Sequence, residues 1–497
     1  MNFKFFYNTN KKYVVDSSPY LISMILFFNA MLNLIQKNKN YFNSSYLTEY
    51  VNAETILITP LVFLFLYFNG QVLKTIFKLK IISLGIVIFI TSFFVIDLFF
   101  MAIGQFFQFK FSVLFTFFIY ILIYILNRKI SQSLLIISLL ILINILFDTY
   151  FSEAIINNPN FLDDEKYFWY PSTKNIYENN LLYAYKNNLV SGYGLLIPHI
   201  YSTFSYLFTF NNVFAFSSSF SLSCVLLVLF FITELKVIEL SVKINFIFYF
   251  ILFITTSHWF LYLYFVQIGG EPFSAYLFGV LFYLLYKGDN LKIVIFLTGL
   301  LYFTKYLISI YAFLPLLIMY KGKLRESILC ITPFVVYLIN HFLFFKSQVL
   351  DTYIVCILKK LFQNITCVVE NNSLPLRVEL RLSNSIELTN IEQLNRIYKN
   401  LILDKPLVLI FIFFLFLIIF NLEKVKNNYF LKFSIIITIL NTAIVLIVYM
   451  YIDPSNTNGS EYRYLTNIYL IWFLAIIELS NNRFKFKDIK FFKKSKF

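Results

Sequence analysis

Long, unbroken runs of apolar residues recur along almost the whole chain and are separated by short polar segments. A helix needs about 20 apolar residues to cross the hydrocarbon core of a bilayer, with a range near 17–25. Continuous runs are typical of membrane helices, whereas the strands of a transmembrane barrel show alternating hydrophobicity. The runs lie near residues 19–36, 55–69, 81–104, 111–127, 133–151, 212–233, 244–264, 273–286, 292–320, 327–345, 406–421, 431–452 and 464–479.

Two segments need interpretation before the spans can be counted. The run at 292–320 is long for one helix and has Lys305 near its middle, so it predicts two short helices that meet near Thr304–Tyr306. This gives about 14 spans in all. The segment 194–210 can be read either as a full span or as a helix in the outer membrane interface. The positive-inside rule favours the interfacial interpretation, because the basic loops after the later spans then all lie in the cytoplasm.

This topology puts both chain ends in the cytoplasm and brings polar segments from distant parts of the chain to the extracytoplasmic face. The polar segments on that face are 152–193, Gly269–Pro272, the tip at Lys305, the loop 346–405 and the loop 453–463. A single extracytoplasmic site could therefore draw on all of them.

The composition agrees with a membrane protein and excludes two other classes. Hydrophobic residues make up 59% of the chain and charged residues 13%, whereas a soluble globular protein is nearer half apolar and about a quarter charged. A cytosolic enzyme and a disordered chain are therefore excluded. The net charge of +15 indicates cytoplasmic loops and anionic lipid headgroups rather than nucleic acid. The basic tail at 480–497 is expected to lie against the cytoplasmic side of the bilayer.

The most informative polar segment combines consecutive carboxylates with aromatic rings. Asp163, Asp164 and Glu165 follow an apolar run, and Trp169 and Tyr170 come shortly after them. Carboxylates at the boundary of water and lipid can act as a general base or bind a divalent cation. The rings can stack on a sugar or anchor the segment in the interface. The alternative is an acidic loop with an aromatic belt and no catalytic role.

Three more charged residues fall on the same predicted face. Glu271 stands between Gly270 and Pro272, so we expect it in a tight turn and not in the middle of a helix. Lys305 lies in an apolar run, where an ionisable residue is expensive and indicates a functional site; the alternative is a side chain that snorkels to the interface. Arg463 opens the last span and can bind phosphate oxygens bidentately.

The histidines and cysteines give weaker indications. His199, His258 and His341 show no metal-ligand spacing, and each is expected to be structural. Cys356 and Cys367 lie in one predicted external loop, so a disulfide between them is an open alternative. The sequence contains no Walker A loop, dinucleotide fingerprint or nucleophile elbow, so it gives no support to ATP-driven or hydride chemistry.

Taken in order, these motifs resemble the GT-C class of membrane glycosyltransferases, which includes protein O-mannosyltransferases, lipid A aminoarabinose transferases and bacterial family 39-type enzymes. Each motif is short, so the strength of the resemblance lies in five of them in order over about 133–479. The motifs are Asp164-Glu165-x-x-x-Trp169-x-Pro171, Tyr193-Gly-Leu-Leu-Ile-Pro198, Gly270-Glu271-Pro272, Thr304-Lys305 and Arg463-Tyr464.

Two features depart from the family pattern. About four spans precede the first acidic loop, where many members have one. The loop 346–405 is too small to be the large soluble domain of some members, which argues against an oligosaccharyltransferase. The resemblance divides the chain into N-terminal helices outside it (1–132), a catalytic core (133–345), an extracytoplasmic loop (346–405), C-terminal helices (406–479) and a basic tail (480–497).

The resemblance implies an all-α, polytopic bundle with a GT-C-like core and short extracytoplasmic loops. It also implies that a sugar is transferred, with inversion, from a polyprenyl-phosphate donor to a glycan, lipid or protein acceptor. The site would face outwards from a bacterial inner or plasma membrane. A divalent cation is the one cofactor that stays open, and its ligands are not identified.

The resemblance also assigns roles to individual residues. Asp164 would be the general base, with Asp163 or Glu165 as alternatives, and Glu271 would orient the acceptor or a cation. The residues expected to bind substrate are Lys305 and Arg463, at the donor phosphate, together with Trp169, Tyr170 and Tyr193.

Two other functions stay open. An O-antigen-type polymerase would use arginines in external loops, and Arg377, Arg381 and Arg396 lie in such a loop. A transporter or flippase for lipid-linked oligosaccharides would need charged residues along a path through many spans. The apolar runs of this chain are nearly free of charge, which favours the glycosyltransferase.

Overall fold

The computed structural model describes selected parts of the chain between residues 53 and 479. The described ranges are 53–103, 107–126, 168–187, 194–208, 271–287, 291–304 and 405–447, together with single positions at 226, 229, 230, 233, 328, 329, 331, 332, 335, 336, 339, 391, 392, 394, 395, 468, 471, 472, 474, 475 and 479. Every regular element in these ranges is a helix, which confirms the all-α expectation. The predicted spans at 19–36, 133–151 and 244–264 lie outside the described residues.

The helices are numbered here in chain order. They are α1 (Ala53–Ile76), α2 (Ile82–Ala102), α3 (Phe109–Leu126), α4 (Tyr170–Glu178), α5 (Leu181–Lys186), α6 (Leu196–Phe208), α7 (Glu271–Lys287), α8 (Leu291–Tyr302), α9 (Lys405–Phe420), α10 (Leu422–Asn427) and α11 (Tyr429–Ile447).

Two of these helices, α2 and α3, are long and apolar enough to cross a membrane. They have 21 and 18 residues and mean hydropathies of 2.5 and 2.2. The outer face of α3 exposes a row of large apolar side chains, which includes Phe111, Phe115 and Phe118. Soluble proteins rarely expose extended apolar patches, and this surface suits contact with lipid.

Helix α2 is the centre of the described structure, because it contacts α1, α3, α5, α6 and α7. Its closest approach is to α1, where Gly70 faces Gly85. A Cβ added to Gly85 would overlap the backbone carbonyl of Gly70. Small residues allow helices to pack closely in membranes, and these two glycines bring the backbones of α1 and α2 together.

The segment 168–187 differs from the prediction that 152–193 is an external polar loop. It contains the two short helices α4 and α5, and both pack onto neighbouring helices. Pro171 lies in the first turn of α4, where its missing N–H costs nothing. The side chain of Asn180 caps α5 by accepting a hydrogen bond of 2.8 Å from the backbone N–H of Tyr183.

Helix α6 is internal, since every described residue from Gly194 to Leu207 is buried. It packs against α2 on one side and α4 on another. The side chains from Gly194 to Leu207 therefore pack within the protein, a burial that the interpretation of 194–210 as a helix in the outer membrane interface did not predict.

Helices α7 and α8 contact each other and are joined by residues 288–290 alone, so the chain reverses between them. Helix α7 is described from Glu271 onwards, and the residues of the predicted tight turn that precede Glu271 lie outside the described ranges. Helix α8 ends at Tyr302, and a turn follows at Phe303–Thr304. The predicted helix end near Thr304 is therefore confirmed, whereas the second of the two predicted short helices lies outside the described residues. Because the chain reverses, the end of α8 returns towards the beginning of α7.

Candidate functional site

The beginning of α6 is bonded to the turn at the end of α8. The backbone N–H of Gly194 donates to the carbonyl oxygen of Thr304 at 3.0 Å, and that of Leu196 donates to the carbonyl oxygen of Phe303 at 3.1 Å. A Cβ at Gly194 would overlap the backbone of Phe303, so only glycine fits this contact. The described parts of two sequence motifs are therefore in contact. These parts are Gly194–Pro198 of the motif Tyr193–Pro198 and Thr304 of the motif Thr304-Lys305.

A second set of hydrogen bonds joins α6 to the segment that follows the acidic residues. The hydroxyl of Ser202 lies 2.8 Å from the carbonyl oxygen of Thr173 and 2.9 Å from that of Pro198. The hydroxyl of Thr173 donates to the carbonyl oxygen of Trp169 at 2.7 Å. The aromatic end of the first motif is therefore packed against the same helix as the Thr304 turn.

Between these contacts lies a buried ionisable pair. Oδ2 of Asp97, on α2, is 2.6 Å from Nε2 of His199, on α6. The hydroxyl of Ser112, on α3, donates to the other carboxylate oxygen of Asp97. The hydroxyl of Thr203 is 3.4 Å from Nδ1 of His199. His199 is fully buried and Asp97 is 8% exposed, so three helices enclose one ionisable, hydrogen-bonded pair.

Aromatic rings surround the imidazole and connect it to the Thr304 turn. The rings of Phe94 and Phe109 meet His199 edge-on, with centroids 5.5 Å and 5.4 Å away. The ring of Phe94 also lies 5.5 Å from that of Phe303. One phenyl ring therefore lies between the imidazole of His199 and the turn.

The structure describes only part of the predicted site. Trp169 and Tyr170 are almost completely buried, at 0% and 1% exposure, so their rings pack within the protein. Glu271 is the first residue of α7. The remaining predicted residues, Asp163, Asp164, Glu165, Tyr193, Lys305 and Arg463, lie outside the described residues.

Sequence reasoning missed Asp97 and assigned His199 no more than a structural role. Asp97 is the only charged residue of α2, and an ionisable residue within an apolar span indicates a functional site. The signal that singled out Lys305 was therefore also present at Asp97. The pairing with His199 could not be read from the sequence, because no local spacing connects the two residues.

Three further charged side chains lie on α3 and α4. Nζ of Lys110, at the beginning of α3, is 5.5 Å from the centroid of the Tyr177 ring, in the range of a cation–π contact. On α4, Lys174 forms a long ion pair of 3.9 Å with Glu178.

Within the described ranges no three metal-ligating side chains come together, and the three carboxylates of the acidic segment lie outside those ranges.

Comparison of the chain with protein-family models, with curated proteins and with solved structures finds no match. The functional argument therefore rests on the chain's own residues and their geometry.

Proposed function

We propose that this protein is a multi-pass membrane glycosyltransferase. It moves a sugar from a polyprenyl-phosphate donor to a glycan, lipid or protein acceptor on the extracytoplasmic face of a bacterial inner or plasma membrane. Its fold on this proposal is a bundle of about 14 spans with a GT-C-like core.

The observation that carries the proposal is the meeting of three motifs around α6. The beginning of α6 is itself the motif Tyr193–Pro198. Hydrogen bonds join this helix and Gly194 just before it to two segments that are distant in sequence, those that contain Trp169 and Thr304. An enzyme that builds one site from dispersed loops requires such an arrangement. The reversal between α7 and α8 further supports the proposal, because it returns the end of α8 towards Glu271.

The proposed reaction is a single displacement at the anomeric carbon. The carboxylate of Asp164 takes the proton of the acceptor hydroxyl, and the hydroxyl oxygen forms a bond to the anomeric carbon. The bond between that carbon and the phosphate oxygen breaks, and polyprenyl phosphate leaves with the electron pair. Lys305 and Arg463 bind the leaving phosphate, while Glu271 orients the acceptor or a cation. The configuration of the sugar is inverted.

The test is a transfer assay with purified protein in lipid nanodiscs. A panel of polyprenyl-phosphate sugars is offered together with glycan, lipid and protein acceptors. The proposal expects release of polyprenyl phosphate and a glycosylated product with at least one donor. If no donor in the panel gives either product, the glycosyltransferase proposal fails.

One observation favours the transporter as a second candidate. The ionisable pair of Asp97 and His199 is buried at a candidate span, and such residues often mark transport or proton paths in membranes. The buried polar side chains Ser112, Thr116, Tyr120 and Tyr124 also follow one another at four-residue spacing on one face of α3.

A flux measurement separates this candidate from the first. Purified protein is placed in liposomes with a fluorescent lipid-linked oligosaccharide, and the fraction of the label that an external quencher reaches is followed. A transporter moves the label between leaflets, and Asp97→Asn stops this movement. Wild-type protein that moves no label excludes the transporter.

A further inference from the structure

We infer that Asp97 and His199 are positioning residues that hold the Phe303–Thr304 turn, and with it the attachment point of Lys305, against α6. This inference rests on the proposed function in one respect, namely that Lys305 binds the donor phosphate. The link between the pair and the turn is a property of the fold and can be tested separately.

The first step concerns the strength of the link between α2 and α6. A carboxylate inside an apolar helix is costly, so it needs strong partners. Asp97 has two, His199 and Ser112, and each of its oxygens has one of them. Hydrogen bonds to a carboxylate are roughly twice as strong as those between neutral groups. The pair therefore fixes α6 relative to α2 at the level of His199.

The second step leads from His199 to the turn. His199 lies in the first turns of α6, and the residues just before it, Gly194 and Leu196, donate their backbone N–H groups to Thr304 and Phe303. The ring of Phe94 contacts both His199 and Phe303. Movement of α6 away from α2 would therefore separate His199 from Phe94 and disturb the packing of Phe94 on Phe303.

The third step concerns Lys305 itself. All residues from Leu301 to Thr304 are buried, and the hydroxyl and the N–H of Thr304 both donate to the carbonyl oxygen of Leu301, at 2.7 Å and 3.1 Å. The backbone that precedes Lys305 is thus held rigidly. A lysine has a flexible four-carbon stem, so a fixed attachment point limits the volume its ammonium can explore and lowers the entropy lost on binding phosphate.

The geometry also shows why these residues position and do not catalyse. Both oxygens of Asp97 are engaged, and phenyl rings flank the imidazole of His199. His199 itself is fully buried. Neither group is open to an acceptor hydroxyl in this structure, so their effect on transfer must pass through the turn.

The kinetic test compares His199→Leu with His199→Gln in the transfer assay. Leu keeps the bulk but removes the bond to Asp97, whereas Gln keeps an N–H that can reach the carboxylate. We expect the donor KM of His199→Leu to rise about tenfold, the ratio that corresponds to about 1.4 kcal/mol. The acceptor KM should stay near the wild-type value, and His199→Gln should restore most of the donor KM.

Two further variants complete the kinetic comparison. Ser112→Ala removes one of the two partners of Asp97 and should raise the donor KM by a smaller factor than His199→Leu does. This variant keeps the test informative if His199→Leu does not fold. Thr438→Val is the control. It removes the acceptor of the 2.8 Å hydrogen bond from Nε1 of Trp472, a buried bond elsewhere in the fold, and it should leave the donor KM unchanged.

A cross-linking measurement tests the link without any transfer activity. Cysteines are placed at Tyr193 and Lys305, whose neighbours Gly194 and Thr304 are hydrogen bonded, in a chain whose four native cysteines are replaced by alanine. A short bismaleimide should join them efficiently. His199→Leu should lower the yield several-fold, while His199→Gln and Thr438→Val should not.

The two measurements separate the failure of this inference from that of the proposed function. If no donor is used but His199→Leu lowers cross-linking as expected, the glycosyltransferase proposal fails and the link from the pair to the turn stands. If the wild type transfers sugar but His199→Leu changes neither cross-linking nor the donor KM, the inference is overturned. Equal effects of His199→Leu and Thr438→Val on the donor KM would also overturn it.

Discussion

Oδ2 of Asp97 lies 2.6 Å from Nε2 of His199, although 102 positions separate the two residues in the chain. The bond joins α2, the helix with the most neighbours in the described structure, to α6, which is enclosed on all sides. Both residues belong to helices that are otherwise composed of apolar, aromatic and small polar side chains. The stability of this region should therefore depend on the pair more than on any neutral polar contact nearby.

A double-mutant cycle measures this dependence. Asp97→Leu or His199→Leu alone leaves a buried polar partner unsatisfied, which costs about 1–3 kcal/mol. The double variant leaves neither of these two partners behind, so its loss should be smaller than the sum by about 0.5–3 kcal/mol. Unfolding of the purified variants in mild detergent, followed by tryptophan fluorescence, gives these values. Strict additivity would show that the two side chains do not interact.

The glycine at the junction of α6 and α8 should tolerate no side chain. In Gly194→Ala the new Cβ meets the backbone of Phe303, which cannot rotate away, so we expect a large loss of folded protein. Gly70→Ala is the matched control, because its Cβ meets first the flexible side chain of Ile86. Thermal stability in detergent is the measurement, and the Gly194 variant should melt well below the Gly70 variant. The reverse order would contradict the close approach.

Much of the helical framework could be predicted from the sequence, because continuous apolar runs have few alternative structures. The runs at 81–104 and 273–286 match α2 and α7 closely. The end of α8 was also predictable, since Thr304-Lys305 interrupts an overlong run. In each case the signal is local and physical, namely the cost of placing polar backbone or charge in an apolar environment.

The features of the fold and of the candidate site that the sequence did not predict depend on contacts between distant segments, which local patterns do not encode. Helices α4 and α5 have only nine and six residues and a mixed composition, so they looked like a polar loop. The burial of Trp169 and the partnership of Asp97 with His199 arise from packing onto α6. The pairing of Gly194 with Thr304 likewise needed the folded chain.

The proposed phosphate ligand gives a prediction about the donor. Lys305→Met removes a positive charge but keeps an unbranched side chain of similar length. We expect the donor KM to rise and kcat to fall together, with an overall loss of about tenfold or more for one charged hydrogen bond. Initial rates over a range of donor concentrations provide the check. Unchanged kinetics would make Lys305 an interface anchor and leave the phosphate to Arg463.

The proposed topology gives a prediction that needs no activity. Single cysteines at Asp164, Glu271 and Lys305, in a chain without its native cysteines, should react in intact cells with a thiol reagent that does not cross membranes. A cysteine in the basic tail after residue 480 should react only after the membrane is opened. Labelling of position 271 from the cytoplasmic side alone would contradict the shared extracytoplasmic site.

The central claim is tested most directly by transfer from a polyprenyl-phosphate sugar with purified wild-type protein and its Asp164→Asn variant side by side. The amide keeps the shape of the carboxylate but cannot take the acceptor's proton, so the variant should be folded and slower by about 10²–10⁴-fold. Wild-type protein should release polyprenyl phosphate and form an inverted product. Absence of transfer by the wild type, with every donor offered, would contradict the account.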